Sequence, residues 1–371
     1  MKKEKDSNKH NALRAAVFLC LIAAILLGFN HFLGFAGADR TNTVLKQFYD
    51  QEPGTVDNIY FGSSVTQRGF VSPEAYHEYG IASYSIATGD QPFILTRYLM
   101  EETQKTQDPE LFIVDLKHIC RGKDRIDDAA VRKVIDNMKP SATKFRAVKA
   151  LTEYAEGGEN EIDTSGLSYY FPLFKYHSRW NPDLQPDYWD DLYYFEGYTL
   201  AAGVCFDVED IKIPEYDEDI RIPLDPENEE VLNDLLDYCD SIDAKVLFVV
   251  APYQGTEDGM GKFNYATDII EDRGYEVLNF LKEDLRRDAG IDDRCCFHNK
   301  AHLNYYGSLQ YTAYLSQYIR DNYGVSDRRG DGKHDDWEDS YRLLQKTIKD
   351  GYYDSYREMY DKIDKILSGE Q

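Results

Sequence analysis

The chain has 371 residues, 42% hydrophobic and 29% charged, a globular composition long enough for roughly two domains or one large domain with additions. Asp and Glu total 67 against 42 Lys and Arg, a formal net charge of -25. So acidic a surface repels a phosphate backbone and excludes nucleic acid as the expected partner. Aromatics are unusual: 30 Tyr and 18 Phe with 3 Trp, which suits a wet surface or a sugar-binding groove because the Tyr ring is apolar while its hydroxyl still hydrogen-bonds.

The first 38 residues stand apart. Lys2, Lys3, Lys5, Lys9 and Arg14 outweigh Glu4 and Asp6, and Ala15 to Phe29 carries no charge. Apolar character continues to Ala38, longer than the about 20 residues a bilayer-spanning helix needs. The basic flank predicts a cytoplasmic N-terminus and an extracytoplasmic remainder. Ala36-Gly37-Ala38 has the small-x-small form of a cleavage site, yet the span exceeds an ordinary signal-peptide core. The expectation is a retained, single-pass signal-anchor in the cell membrane. Of the six cysteines, Cys20 falls in that span. Cys120, Cys205, Cys239, Cys295 and Cys296 form no CxxC pattern that would hold zinc, and Cys295-Cys296 reads as two small residues near the core.

Beyond the leader, short apolar runs alternate with helical periodicity. Residues 56–62 predict a buried strand ending in Gly62, and Ser83 to Ala87 a second one closing on Thr88-Gly89-Asp90. Phe93 to Thr103 has helical spacing with Leu95, Tyr98 and Leu99 on one face. Leu111 to Leu116 and Lys245 to Ala251 are strands, with a helix over Val231–Ser241 before the latter. Tyr275 to Phe280 is a further strand, and Asn304 to Tyr323 a long amphipathic helix. The alternation predicts an α/β fold around a mostly parallel sheet, with ligands at the carboxyl ends of its strands. Residues 119–227 break the rhythm as a polar, aromatic insertion, helical near Ala129–Met138 and loop over Ile211–Pro226. Residues 326–371 form a Tyr-rich charged tail, helical after Asp335. Asp327, Asp331, Gly332 and Glu338 fall at calcium-loop positions, but Arg329 occupies a place that needs a ligand oxygen. The stretch reads as a solvated turn, and neither a metal nor a cofactor is expected.

Two motifs carry chemistry. Gly62-Ser63-Ser64-Val65-Thr66 is a tight turn closing the first strand, with a free hydroxyl and amides able to hold an oxyanion at a helix start. Phe297-His298-Asn299-Lys300-Ala301-His302-Leu303-Asn304 precedes the last long helix, and a His there can reach the first strand's end as general base for a Ser. Lys175, His177, Arg179 and Trp180 concentrate cationic and aromatic groups in the insertion, as either a polysaccharide or acyl-donor groove or a surface loop with one buried Trp would.

With these motifs the chain resembles the SGNH (GDSL-like) hydrolase superfamily. Within it, the likeness is to a membrane-anchored cell-surface branch that includes alginate O-acetyltransferase-like proteins and the teichoic-acid D-alanylation protein. The resemblance covers residues 56–118 and 244–323 together with the leader. It implies an SGNH/flavodoxin-like three-layer domain over residues 39–325, with Ser64 as nucleophile, the Gly89 amide as oxyanion donor and His302 as base. Two positions depart from the family pattern. Asn299 stands where an Asp three residues before the His is usual, and orients an imidazole without offsetting its charge. Lys117, His118 and Ile119 follow the third block, where an oxyanion Asn is usual, leaving His118 or the Ser64 and Gly89 amides alone. The function implied is serine esterase or O-acyltransferase chemistry on acyl esters of a cell-envelope polysaccharide. The alternatives are an inactive glycan-binding relative and a partner subunit of a membrane O-acyltransferase.

Overall fold

The computed structural model describes residues 2–37, 44–176, 192–201 and 204–369. Lys2–Gly37 is one continuous helix, and its stretch His10–Asn30 is long and apolar enough to cross a membrane. The remainder is an α/β fold. Nine strands occur among the described residues: β1 (Asn58–Gly62), β2 (Ser83–Ala87), β3 (Leu111–Asp115), β4 (Leu192–Phe195), β5 (Tyr198–Ala201), β6 (Lys245–Val250), β7 (Glu276–Asn279), β8 (Phe297–Asn299) and β9 (His302–Leu303).

Five of these strands form a parallel sheet in the order β2-β1-β3-β6-β7. Helices cover parallel sheets on their faces, so such strands read as unbroken apolar runs. Accordingly β2 and β3 are buried along their whole length. The chain moves from β1 to β2 on one side and then returns to β3 on the other. That reversal opens a crevice at the carboxyl end of β1, where open α/β sheets bind ligands.

The expected strands and helices are present, with shifted ends. The helix expected over Val231–Ser241 begins earlier, at Pro226, because Pro is favoured in a first helical turn. Phe93–Leu95 is a 3-10 turn leading into the helix Thr96–Thr103. The last sheet-flanking helix, Tyr305–Tyr323, is capped by Asn304, whose side chain accepts from the Gly307 amide. Within the insertion, helices Asp128–Ile135 and Ala142–Ala155 pack on the domain. Buried Asp128 accepts hydrogen bonds from Arg132, Tyr169 and Lys175.

The C-terminal helices Asp335–Gly351 and Tyr353–Ser368 pack back on the domain. Trp337 lies on Tyr76 with ring centres 5.9 Å apart, and Tyr341 stacks on His77 at 3.7 Å. The turn leading to them holds more than solvated acids. Arg328 forms a two-pronged pair with buried Asp57 at 2.6 and 2.7 Å, just before β1, and Asp327 is taken by Arg329.

Removing one partner of a buried ion pair leaves the other uncompensated, at a cost of about 3 kcal/mol when the Arg is itself partly exposed. Arg328→Met in the detergent-solubilised chain should therefore lower the denaturant midpoint markedly. An unchanged midpoint would show that the Arg328–Asp57 pair contributes nothing to stability.

Candidate active site

The turn after β1 is set by close packing. A Cβ on Gly62 would lie 2.0 Å from Thr66 Oγ1 and 2.9 Å from Asp115 Cβ. Only glycine lets the chain fold so tightly that Thr66 donates its hydroxyl to Asp115 across β1 and β3, at 3.0 Å. Ser64 then opens the short helix Ser64–Gly69, and the N-cap Ser63 makes no side-chain cap bond.

Sheet register aligns three loops. Gly62 pairs with Ala87, and Phe61 pairs with Val114 one level earlier. Ser64, Gly89 and Lys117 therefore each lie two residues beyond the same level on three adjacent strands.

His302 comes from the other end of the domain. The β8-β9 hairpin is fastened at its tip by the Gln254 amide on the Lys300 carbonyl at 2.7 Å. At its base, buried Asn304 donates to the Cys295 carbonyl at 2.8 Å. Gly307 sits so close beneath it that a Cβ would lie 2.1 Å from the Cys296 carbonyl oxygen. These contacts bring His302 Nε2 to 2.8 Å from Ser64 Oγ.

The hydrogen bonds around this pair run in one direction. The Leu303 carbonyl only accepts, so His298 Nδ1, 3.1 Å away, donates to it. Neutral His298 then has a bare Nε2, which accepts from Asn299 Nδ2 at 2.8 Å. That bond orients the Asn299 amide, whose oxygen accepts from the Ala301 amide at 2.8 Å and from His302 Nδ1 at 3.2 Å. His302 is thereby the Nδ1–H tautomer, with Nε2 free to take the Ser64 proton. The rings of His298 and His302 lie parallel, 5.4 Å apart. Sequence reading paired Asn299 with His302 but passed over His298, the group that turns the amide the right way.

Electrostatically the site is a cationic corner of an acidic protein. Burial first, then the Arg68 and Lys117 charges and His298, hold the His302 imidazole far below its usual value. Arg68 Nε is buried and bonded to nothing among the described residues. Burial, with Arg121 adding, pushes Lys117 down to about 8, and its ammonium lies 4.4 Å from the Tyr253 ring centre. The register could have singled out Lys117 from sequence, through its equal offset from its strand.

The other expected site residues fall as follows. His118 is buried and donates Nδ1–H to the Gln91 carbonyl at 2.8 Å. Burial and then Arg121 push it down to about 4. A neutral His118 in this tautomer has no second N–H, so it cannot serve an oxyanion as donor. Gly89 directs its carbonyl to Lys133. Lys175 has its ammonium on Asp128 at 2.7 Å, fixing the insertion internally. His177, Arg179 and Trp180 lie outside the described residues. A hollow beside the crevice is lined by Asp90, Phe93, His118, Arg121, Tyr154 and Val231. No His/Cys/Asp/Glu cluster suited to a metal occurs among the described residues.

Comparison with protein-family models gives no match, and comparison with curated proteins gives none either.

Protonating His298 would turn its Nε2 from acceptor to donor and reverse the Asn299 amide. Burial, with Arg68 adding and the Leu303 bond opposing, lowers the His298 pKa below 6.5. The rate of Ser64 labelling by a fluorophosphonate should thus stay level from about pH 7.5 down to about 6.5 and fall only below that. A midpoint at or above 6.5 would contradict the directional chain.

Proposed function

We propose that the chain is a membrane-anchored, SGNH-like serine esterase or O-acyltransferase acting on acyl esters of a cell-envelope polysaccharide. The observation that carries this reading is the 2.8 Å hydrogen bond from Ser64 Oγ to His302 Nε2, with the imidazole oriented by Asn299. A serine and a base that is itself oriented by a third group form the general signature of an activated nucleophile.

In the proposed reaction Ser64 Oγ bonds to the acyl carbonyl carbon while its proton passes to His302 Nε2. The carbonyl oxygen becomes an oxyanion facing the Ser64 and Gly89 amides, with the Lys117 charge nearby. Collapse breaks the ester C–O bond, and the leaving sugar oxygen takes the proton from His302. The acyl-Ser64 ester is then attacked by water or by a second sugar hydroxyl, whose proton returns through His302. Water yields the free acid; a sugar hydroxyl yields a new ester. The N-terminal helix supports an extracytoplasmic placement through its basic flank.

One observation favours a second reading. The base has an amide where a carboxylate would offset its charge, and cations beside it, as suits an inactive relative that binds glycan through its aromatics.

The two readings part on covalent chemistry. The full chain should take a single fluorophosphonate adduct on Ser64 and release p-nitrophenol from short acyl esters. Ser64→Ala should abolish both, and His302→Ala should slow labelling by about 10²-fold or more. A folded chain that takes no adduct would sink the enzyme reading in favour of the glycan-binding one.

A further inference from the structure

The insertion exposes apolar side chains within residues 167–174, and Phe145 touches that segment through Tyr170. Phe145 is 58% exposed, Leu167 51%, Phe171 44% and Phe174 59%. Tyr170 joins them, stacked on Phe145 with ring centres 5.6 Å apart and its hydroxyl on the Phe145 carbonyl at 3.1 Å. The Phe171 and Phe174 rings meet edge-on at 6.2 Å. Single exposed apolar residues are ordinary, but several close together in one segment mark a contact surface.

That segment adjoins the anchor. Leu173, between the two Phe residues, donates its amide to Asn30 Oδ1 at 3.0 Å, and the helix Leu173–Tyr176 lies against the N-terminal helix. Asn30 and His31 are the first polar residues after the uncharged apolar run Ala15–Phe29. At 1.5 Å per residue that run spans about 22 Å, most of a bilayer's hydrocarbon core of about 30 Å. On the anchor reading Asn30 lies where lipid chains give way to headgroups, and the aromatic side chains begin beside it.

We propose that Phe145, Leu167, Tyr170, Phe171 and Phe174 form a second membrane contact, seated in the headgroup layer of the bilayer that the N-terminal helix crosses. The proposal rests on the anchor reading above and is independent of the chemistry at Ser64. Amphipathic and aromatic surfaces are stable at this depth, where rings sit among headgroups and acyl-chain ends while polar atoms stay hydrated. The seat is rigid, because the Asp128 bonds to Arg132, Tyr169 and Lys175 tie its segment to the helix Asp128–Ile135. A single spanning helix leaves a domain free to tilt. A second, fixed contact sets both the height and the orientation of the Ser64 crevice above the lipid.

The test uses the full-length chain reconstituted into phosphatidylcholine vesicles, with or without lipid brominated near the headgroup end of its chains. Phe174→Trp and Leu167→Trp, made singly, each add an indole to the three native Trp residues. The added emission should lose most of its intensity in brominated vesicles, beyond any loss in the wild-type chain. Phe18→Trp, inside the span, reports insertion of the anchor separately. Quenching at position 18 with none at 174 and 167 would overturn the seat while leaving the anchor standing, as a water-facing patch or one covered by a second copy would give. No quenching at any of the three positions would overturn both.

Discussion

The hydrogen bond between Ser64 and His302 joins residues 238 positions apart, and much of the domain is arranged so that it can form. One end depends on the missing Cβ of Gly62, which lets Thr66 fold under the turn and bond to Asp115. The other depends on a two-strand hairpin held at tip and base by backbone carbonyls. Between them the buried Tyr60 and Tyr311 hydroxyls meet at 2.7 Å and tie β1 to the helix that follows the hairpin. Ser64 and His302 thus sit on braced elements, which limits drift in the geometry that the proposed proton transfer requires.

The electrostatics pull in two directions. A carboxylate behind the imidazole stabilises the imidazolium, and replacing it by an amide in a serine protease costs about 10⁴ in rate. Here the amide is native, and Arg68 and Lys117 raise the cost of charging His302 further. In the proposed reaction the same cations would favour the opposite charge developing on the acyl oxygen, where one donor is worth about 3 kcal/mol. The site would thus favour the oxyanion over the imidazolium. Such a site would suit activated esters and slow turnover better than fast hydrolysis of stable ones.

Much of the sheet was legible because parallel strands buried on both faces announce themselves as apolar runs, as residues 83–87 and 111–115 do. The two motifs were legible beside strand ends and a helix start, but it was the resemblance that singled out Ser64, Asn299 and His302 within them. Other features were not. The helix Glu257–Asp272 follows a loop and spreads its apolar residues thinly, and the β4-β5 hairpin lies within a long polar insertion. Arg328 looks like one charge in a hydrophilic turn, and only tertiary packing sets it on Asp57. His298 is one residue from Asn299, yet its role depends on ring orientation and on the Leu303 carbonyl, which no spacing rule conveys. His118 and Lys175 were plausible by chemistry, but folding commits their donor groups to Gln91 and Asp128.

The account turns on the direction of the hydrogen-bond chain, so the most direct measurement is long-range ¹H–¹⁵N correlation of the imidazoles at neutral pH, assigned with His298 and His302 variants. The account predicts both rings neutral and protonated at Nδ1, with His302 Nε2 an unprotonated acceptor shifted by the Ser64 hydroxyl, a shift that Ser64→Ala removes. A His302 ring protonated at Nε2, or present as imidazolium, would contradict it.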